Sequence, residues 1–479
     1  MCLADGACGA AGVGAMRARA WGWAVLVAGL AGCGGVPEEA AGETSGEGPL
    51  GRVRQTEASG GGVAWTRFGT GPGLELGSVV TQDRDGHVIT AVHFTGSADL
   101  GRGPVGPGTP EVPGVALAKY SPEGRLLWTR VFHGRAGGLL GVEAVGTDRE
   151  RNVLLAGSSD TKVGLAPGVE VKGAFLVKLD RHGDVVWHRT LKGDATFLAN
   201  GLVTDRAGDV WVSGSLFDGR LDFGGRVLET SGLRGFLAKF APDGTLRWLH
   251  AEGEATLGGG VALDAEGDGY FCGTAPQQWP EDPGTGTRPV LRRLDSASGK
   301  VRWTRELDDG DCAGVAVHGN RVVMTGSFLG DFTFLGKTYR ASERPEVLDE
   351  DAFLAAYTLA GEERWAWNFA RAGTGVVMDP RDGVLVTGHY ESGDRVGGTA
   401  LPGARGSIDN VFVAKLDRID GALRWVRGIP SEAALALDVA VTREGQGVVV
   451  GTFGGPTDFG GGTVRPTGGY DAFILRLEE

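Results

Sequence analysis

From residue 63 to its end, the chain is built of short apolar stretches that alternate between two faces and are punctuated by turn residues. A period of two with β-branched residues predicts short, half-buried strands. The strands come in units of four. The first is an apolar stretch that usually closes in an Asp-x-x-Gly type turn, as in "SVVTQDRDG" (78–86), "GLVTDRAG" (201–208) and "VALDAEG" (261–267). The second runs toward a Gly or small residue: "VLLAGSS", "VWVSGSL", "YFCGTA", "VVMTGSF", "VLVTGHY", "VVVGTF". The first unit departs from this with "VITAVHF". A longer connection follows, often holding Asp-Phe-Gly, as in "LDFGGRVL" (221–228) and "TDFGGGTV" (457–464). The third strand is of the "FLAKF" type, and the fourth carries a Trp. No long segment keeps a 3.6-residue period, so helix is expected to be scarce.

The Trp sets the repeat length. It stands at 128, 187, 248, 303, 365 and 425, a spacing of 55 to 62 residues. A lone four-stranded sheet leaves apolar faces uncovered, whereas a ring of such sheets covers each face with the next blade. First, second and third strands each number seven, but fourth strands inside the repeats number six. The last unit stops at "DAFILRLEE" (471–479). The spare Trp-bearing strand is "VAWTRF" (63–68), which opens the folded region. The expected fold is therefore all-β: a seven-bladed β-propeller of four-stranded antiparallel blades. Its last blade is closed by the N-terminal strand 63–68, pairing beside 472–477.

The phrase "AFLVKLD" (174–180), "VFVAKLD" (411–417) and "DAFILRL" (471–477) resembles the SBBP family of bacterial β-propeller repeats. In that family "D-x-x-G-N-x-Y-V-x-G" precedes "D-A-F-V-A-K-L". The resemblance covers roughly 63–479 and is poor in the fourth unit, where "APQQWPEDPGTGTRP" replaces the Asp-Phe-Gly connection. The family motifs are structural and imply a fold rather than an activity. "LDSASGKVRW" (294–303) also resembles a blade motif of pyrroloquinoline-quinone-type propellers.

Ahead of the strands the pattern changes. In residues 16–33, "MRARAWGWAVLVAGLAGC", Arg17 and Arg19 precede an apolar run too short to span a bilayer comfortably. The run ends in Leu30-Ala31-Gly32-Cys33, which resembles the lipobox of bacterial lipoproteins and implies lipidation of Cys33. Residues 1–33 are thus expected to be a lipoprotein signal peptide, with Met1 or Met16 as the start. Residues 34–62 are rich in Gly, Glu and Ser and read as a flexible tether. Gly34 after the lipidated Cys implies, by resemblance to Gram-negative sorting rules, the outer membrane. The 86 Gly among 479 residues fit many tight turns, and the net charge of −13 argues against nucleic acid or an anionic bilayer surface as an electrostatic partner.

Candidate chemistry changes this picture little. The eight His are scattered, with no HExxH. His93 and His389 are read as polar residues ending second strands. "GRGPVG" (101–106) matches G-x-G-x-x-G, but "PGTPEVPG" follows it, and no helix starts there to hold a phosphate. Asp-rich turns such as Asp83-Arg84-Asp85-Gly86 offer too few oxygens for calcium and suit hairpin turns. No metal or cofactor is expected. The recurrent Trp suits blade-to-blade packing. Trp279 lies in the irregular fourth-unit loop, where packing under its own loop and contact with a partner are both open. Cys272 and Cys312 fall in adjacent units, either as two buried thiols or as a disulfide, which needs Cα atoms within about 7 Å.

The expected protein is a monomeric, lipid-anchored, non-catalytic binding or scaffold propeller of the bacterial cell envelope. Its partner would be a protein or a glycan, met by loops at one end of the ring. The alternative is an outer-membrane assembly scaffold. A quinone-dependent dehydrogenase stands behind both, because its cofactor cradle needs adjacent Cys residues that this chain does not have.

Overall fold

A computed structural model describes residues 61–278, 283–342, 350–369, 371–381, 383–403 and 410–479. The leader, Cys33 and most of the expected tether lie outside the described residues, as does Trp279. No helix occurs among the described residues. Seven antiparallel sheets, each of four main strands, follow one another around a ring, the third carrying in addition the two-residue strand Lys192–Gly193. Blade 1 spans Glu75–His133, blade 2 Leu140–Thr190, blade 3 Thr196–Glu254 and blade 4 Leu257–Glu306. Blade 5 spans Gly314–Phe369, blade 6 Ala372–Ile429, and blade 7 starts at Ala434. The first strands neighbour one another from blade to blade and so form the innermost ring.

Blade 7 is finished by the other end of the chain. Its strand order is Ala434–Val441, Gly447–Phe453, Asp471–Leu477, then Val63–Gly69. The closing pair is antiparallel, with Val63 opposite Leu477 and Gly69 opposite Ala472. Docking begins slightly before residue 63: the Gly62 carbonyl accepts the Glu478 N–H, and the Gly61 carbonyl accepts from the Arg427 guanidinium at 3.1 Å.

Apolar side chains on both faces of each sheet pack against the neighbouring blades, which is why the central strands read as nearly continuous apolar runs. Ala144 and Leu154 of blade 2 share a core with Phe197, Leu202 and Phe236 of blade 3. Leu385 and Val413 of blade 6 share one with Val439, Phe473 and Leu475 of blade 7. Val92 and Ala116 of blade 1 meet Val450 and Ile474 of blade 7 in the same way, so the closing seam is packed like the others.

The second-to-third connections are more than loops. In blades 1 to 3 the two strands continue as a two-stranded arm, and in blades 5 to 7 the arm is a separate small hairpin. The arms of blades 1 and 5 fold back along their own fourth strands, whereas that of blade 2 packs its Val163 and Val171 into the core shared with blade 1. The Arg102 guanidinium reaches the Leu126 carbonyl, and the Leu335 N–H reaches the Glu363 carboxylate. The Phe of Asp-Phe-Gly is the plug that holds the arm down. Phe223 and Phe459 of Asp-Phe-Gly and Phe332 of Asp331-Phe332-Thr333 are buried, with Leu100, Val163 and Val396 buried at the arms of blades 1, 2 and 6. The preceding Asp caps the turn: Asp222 Oδ1 accepts from the N–H groups of Gly224 and Gly225.

A second device escapes sequence reading. First strands carry a β-bulge near their midpoint, between Gly77 and Val79, Val142 and Ala144, Ala199 and Gly201, Gly373 and Gly375, and Ala436 and Asp438. A bulge frees backbone groups from the ladder, and second strands of the preceding blades recapture some of them. His93 Nε2 accepts the Val142 N–H at 3.0 Å. Ser215 Oγ takes the Gly258 N–H, and Thr274 Oγ1 takes the Cys312 N–H just ahead of the first strand of blade 5, whose ladder has no bulge. At the closing seam Thr452 Oγ1, on the second strand of blade 7, donates to the Glu75 carbonyl at 3.1 Å, and Asp438, in the first-strand bulge of that blade, takes the Val80 N–H at 2.9 Å.

Candidate functional site

Antiparallel order puts all first-to-second and third-to-fourth turns at one end of the ring, and the remaining connections leave from the other. The tight-turn end holds the residues that define the repeat, and they are spent on the ring itself. In blade 3, Lys239 is 4% exposed. Its ammonium lies 3.0 Å from Asp205 and 3.2 Å from Asp209, within its own blade. It also donates to the Ser296 carbonyl of blade 4 at 3.2 Å and sits over the Trp211 ring. Trp248, on the neighbouring fourth strand, donates its indole N–H to that same Ser296 carbonyl at 3.0 Å. The third-strand cation and the fourth-strand Trp therefore meet on one carbonyl in the next blade.

The node recurs around the ring. Lys119 and Trp128 meet on the Arg181 carbonyl, and Arg293 and Trp303 on that of Leu359. At the closure Arg476 and Trp65 meet on the Pro122 carbonyl. An Arg two residues after the Trp often clasps the same turn: Arg67 reaches the Gly124 carbonyl at 2.7 Å and Arg305 that of Gly361 at 2.6 Å. The recurrent Trp thus packs blade on blade, as its spacing suggested.

The turn glycine is required by the clasp as well as by its backbone. Gly299 has φ +67°, and a Cβ there would come within 2.6 Å of the Trp248 ring. Gly299→Ala is expected to cost about 1–3 kcal/mol, from the left-handed backbone and the displaced indole. Urea denaturation should read this as a lowered midpoint at unchanged slope.

The Asp-rich turns are filled by protein. Asp83 Oδ1 accepts from the N–H groups of Asp85 and His87, and Oδ2 lies 2.8 Å from the Lys119 ammonium. Among the described residues no three His, Cys, Asp or Glu converge as a metal site. The G-x-G-x-x-G match is an arm turn. Asp99 Oδ1 takes the N–H groups of Gly101, Arg102 and Gly103, and the strand Pro104–Tyr120 follows.

His93 ties blade 1 to blade 2, and burial pushes its pKa down to about 4, which keeps the ring neutral and its Nε2 an acceptor. His389 holds the matching place toward blade 7, with Nε2 3.3 Å from the Ala436 carbonyl. Cys272, on a second strand, and Cys312, entering the next blade's first strand, are joined in a disulfide with Cα atoms 6.0 Å apart. Of the two readings left open by the sequence, the structure has the bridge, which links blade 4 to blade 5.

The remaining unspent chemistry lies on the inner strands. Val142 packs into the core shared with blade 1 and Ala144 into that shared with blade 3. Between them the bulged Glu143 keeps its Oε2 without a hydrogen-bond partner, and burial, partly offset by its own backbone N–H, pushes its carboxyl up to about 8. Asn200 occupies the bulge of blade 3 and keeps its Oδ1 unpartnered. The candidate binding region is therefore the inner ring together with the end opposite the tight turns, where the fourth-to-first connections run and Leu139 is 55% exposed. Sequence patterning did not single out Glu143 or Asn200, because only the bulge register makes them special.

No protein-family model matches the chain. No curated protein matches it. Among solved structures it is similar to a chain of the mitotic checkpoint complex, with TM-score 0.48 and 9% identity over 93% of this chain and 99% of that one. It is also similar to the β-propeller domain of the Trilobed protease from Pyrococcus furiosus, with TM-score 0.43 and 8% identity over 85% of this chain and 94% of that one. A europium-containing methanol dehydrogenase is similar with TM-score 0.36 and 11% identity, over 87% and 93% of the two chains. At these levels the similarities carry no functional argument, and the fold rests on the strand topology above.

Proposed function

We propose that the chain is a lipid-anchored, non-catalytic binding propeller of the bacterial cell envelope, with SBBP-type repeats, held in the outer membrane through Cys33. The observation that carries this reading is where the chain joins the ring. Gly61 and Gly62 dock at the start of the closing strand, at the tight-turn end. A tether attached there presents the opposite end of the ring away from the bilayer. The repeated Asp, Lys, Trp and Arg side chains support a binding role, since they are consumed in joining blades. The fourth-to-first connections and the inner bulges, which differ from blade to blade, are left to meet a protein or glycan.

The anchor is tested by fractionation. The full chain should pellet with envelopes, and Cys33→Ser should release it; release of both would overturn the anchor. The partner is tested by pull-down from detergent-solubilised envelopes. Recovery of a glycan or surface protein, lost on Leu139→Arg, is the expected result. Recovery of a β-barrel assembly machine instead would move the assignment to an assembly scaffold.

A further inference from the structure

Six of the seven third-to-fourth turns are continuous chain, and the seventh is split between the two ends of the folded region. In blades 1, 2, 3 and 5 the residue after the third strand donates its N–H to a carbonyl four residues on, three before the blade's Trp. The pairs are Ser121 and Arg125, Asp180 and Asp184, Ala241 and Thr245, and Thr358 and Glu362. Blade 7 makes the same bond without a continuous turn: Glu478 donates to the carbonyl of Gly62, three residues before Trp65, at 2.6 Å.

Gly61 completes the likeness. It stands four residues before Trp65, where Gly124, Gly299, Gly361 and Gly421 stand before their own Trp. It shares their left-handed backbone, with φ +75° against +79° at Gly124 and +75° at Gly421. It shares their contact with the preceding blade: a Cβ at Gly61 would come within 3.0 Å of the Trp425 ring, as one at Gly421 would within 2.7 Å of Trp365. It shares their clasp as well. Arg427, two residues after Trp425, donates to the Gly61 carbonyl at 3.1 Å, as Arg67 does to Gly124 and Arg305 to Gly361. Gly61 is therefore the turn glycine of blade 7, although in sequence it is one of three glycines ahead of the first strand.

The residues that hold Gly61 belong to a different blade from the strand it leads into. Trp425 and Arg427 lie on the fourth strand of blade 6, Leu423–Ile429. The ladder that starts at Val63 lies in blade 7. Arg427 also donates to the Phe459 carbonyl in the arm of blade 7, at 3.3 Å, so its guanidinium is fixed on both sides of the seam. An edge strand opens from its end, one ladder bond after another. Here the first bond in line is that between Glu478 and Gly62, and the contacts of Arg427 and Trp425 with Gly61 stand ahead of it.

We propose that Gly61, Trp425 and Arg427 form a cleat: a clasp on blade 6 that takes up a pull arriving through residues 34–60 before it reaches the closing strand. The source of the pull rests on the anchored reading above. The cleat itself does not, because it is built from contacts within the folded region. It gives the closing strand, the one outer strand with no chain connection to its blade, a hold that the ladder alone does not supply.

The test is optical-trap pulling of the unlipidated full chain at constant load. Cys2→Ser and Cys8→Ser leave the Cys33 thiol for one handle, and Ala297→Cys in an exposed turn of blade 4 supplies the other. Gly61→Val and Arg427→Ala should each shorten the lifetime before the first rupture about tenfold, the size of one lost charged hydrogen bond. Arg305→Ala removes the like clasp from the seam between blades 4 and 5. It should lower the melting temperature of the unloaded chain and leave that lifetime unchanged. Equal lifetimes in wild type, Gly61→Val and Arg427→Ala would overturn the cleat, since the ladder would then bear the load by itself. An equal shortening by Arg305→Ala would overturn it too, making the effect one of overall stability. If Arg427→Ala fails to fold, Gly61→Val still decides. The lipid takes no part in this measurement, so a failed anchor shows only in the fractionation above and a failed cleat only here.

Discussion

Removal of residues 61–69 abolishes cooperative folding, whereas removal of 34–60 leaves the melting temperature unchanged: this is the expected outcome of paired deletions followed by circular dichroism. The short segment supplies the whole outer strand of blade 7 and one register of the closing ladder. It also supplies Trp65, 8% exposed, whose indole bridges to blade 1. Phe68, with ring contacts to Phe453 and Phe459, goes with it. Losing the Trp65 side chain alone costs about 3–5 kcal/mol. The lost ladder and clasp add to that, against a total stability of only about 5–15 kcal/mol for a typical domain. Equal melting temperatures for the two deletions would contradict ring closure.

Lys239→Ala is the point substitution with the largest expected effect. It strips the counter-charge from the partly buried Asp205, leaves the buried Asp209 with Arg247 alone, and removes a donor from the Ser296 carbonyl. Breaking a buried pair from one side costs about 3–5 kcal/mol, because the partner charge stays behind. The cost should depend on pH with a definite sign. Burial works to raise the Asp205 pKa, but the Lys239 hydrogen bond and charge, with backbone N–H groups, outweigh it and hold the carboxyl below its ordinary range. A depressed folded pKa contributes stability that is present above the unfolded value of about 3.9 and is lost as pH falls through the folded value. The gap between wild type and Lys239→Ala in urea unfolding should therefore be full at pH 7 and shrink below about pH 4. Asp148 and Asp379, paired with Lys178 and Lys415, are held low in the same way, so acid should loosen several blades together. A gap unchanged from pH 7 to pH 3 would mean that Lys239 acts by packing alone.

The architecture was legible in the sequence because it is set by periodicity and by arithmetic. Period-two alternation marks the strands, the recurring Trp marks the blades, and a strand short at one end demands one from the other. The roles of Asp-Phe-Gly and of the bulges were not legible. Phe223 reads locally as a residue in a glycine turn, and only the fold-back of the arm shows it to be a plug. Glu143 and Asn200 read as polar residues interrupting a strand, and only the register with the second strand makes them inner-ring residues. The Cys272–Cys312 bridge depends on how close two blades approach, a distance no spacing of 40 residues determines.

The central claim is that the two ends of the folded region share one sheet, and hydrogen exchange on the full chain tests it without perturbing the protein. The amides of Trp65–Phe68 should be protected to a degree comparable with those of Phe473–Arg476, their ladder partners, and should exchange far more slowly than residues 34–60. Exchange of Trp65–Phe68 at the rate of residues 34–60, with Phe473–Arg476 still protected, would contradict the closure.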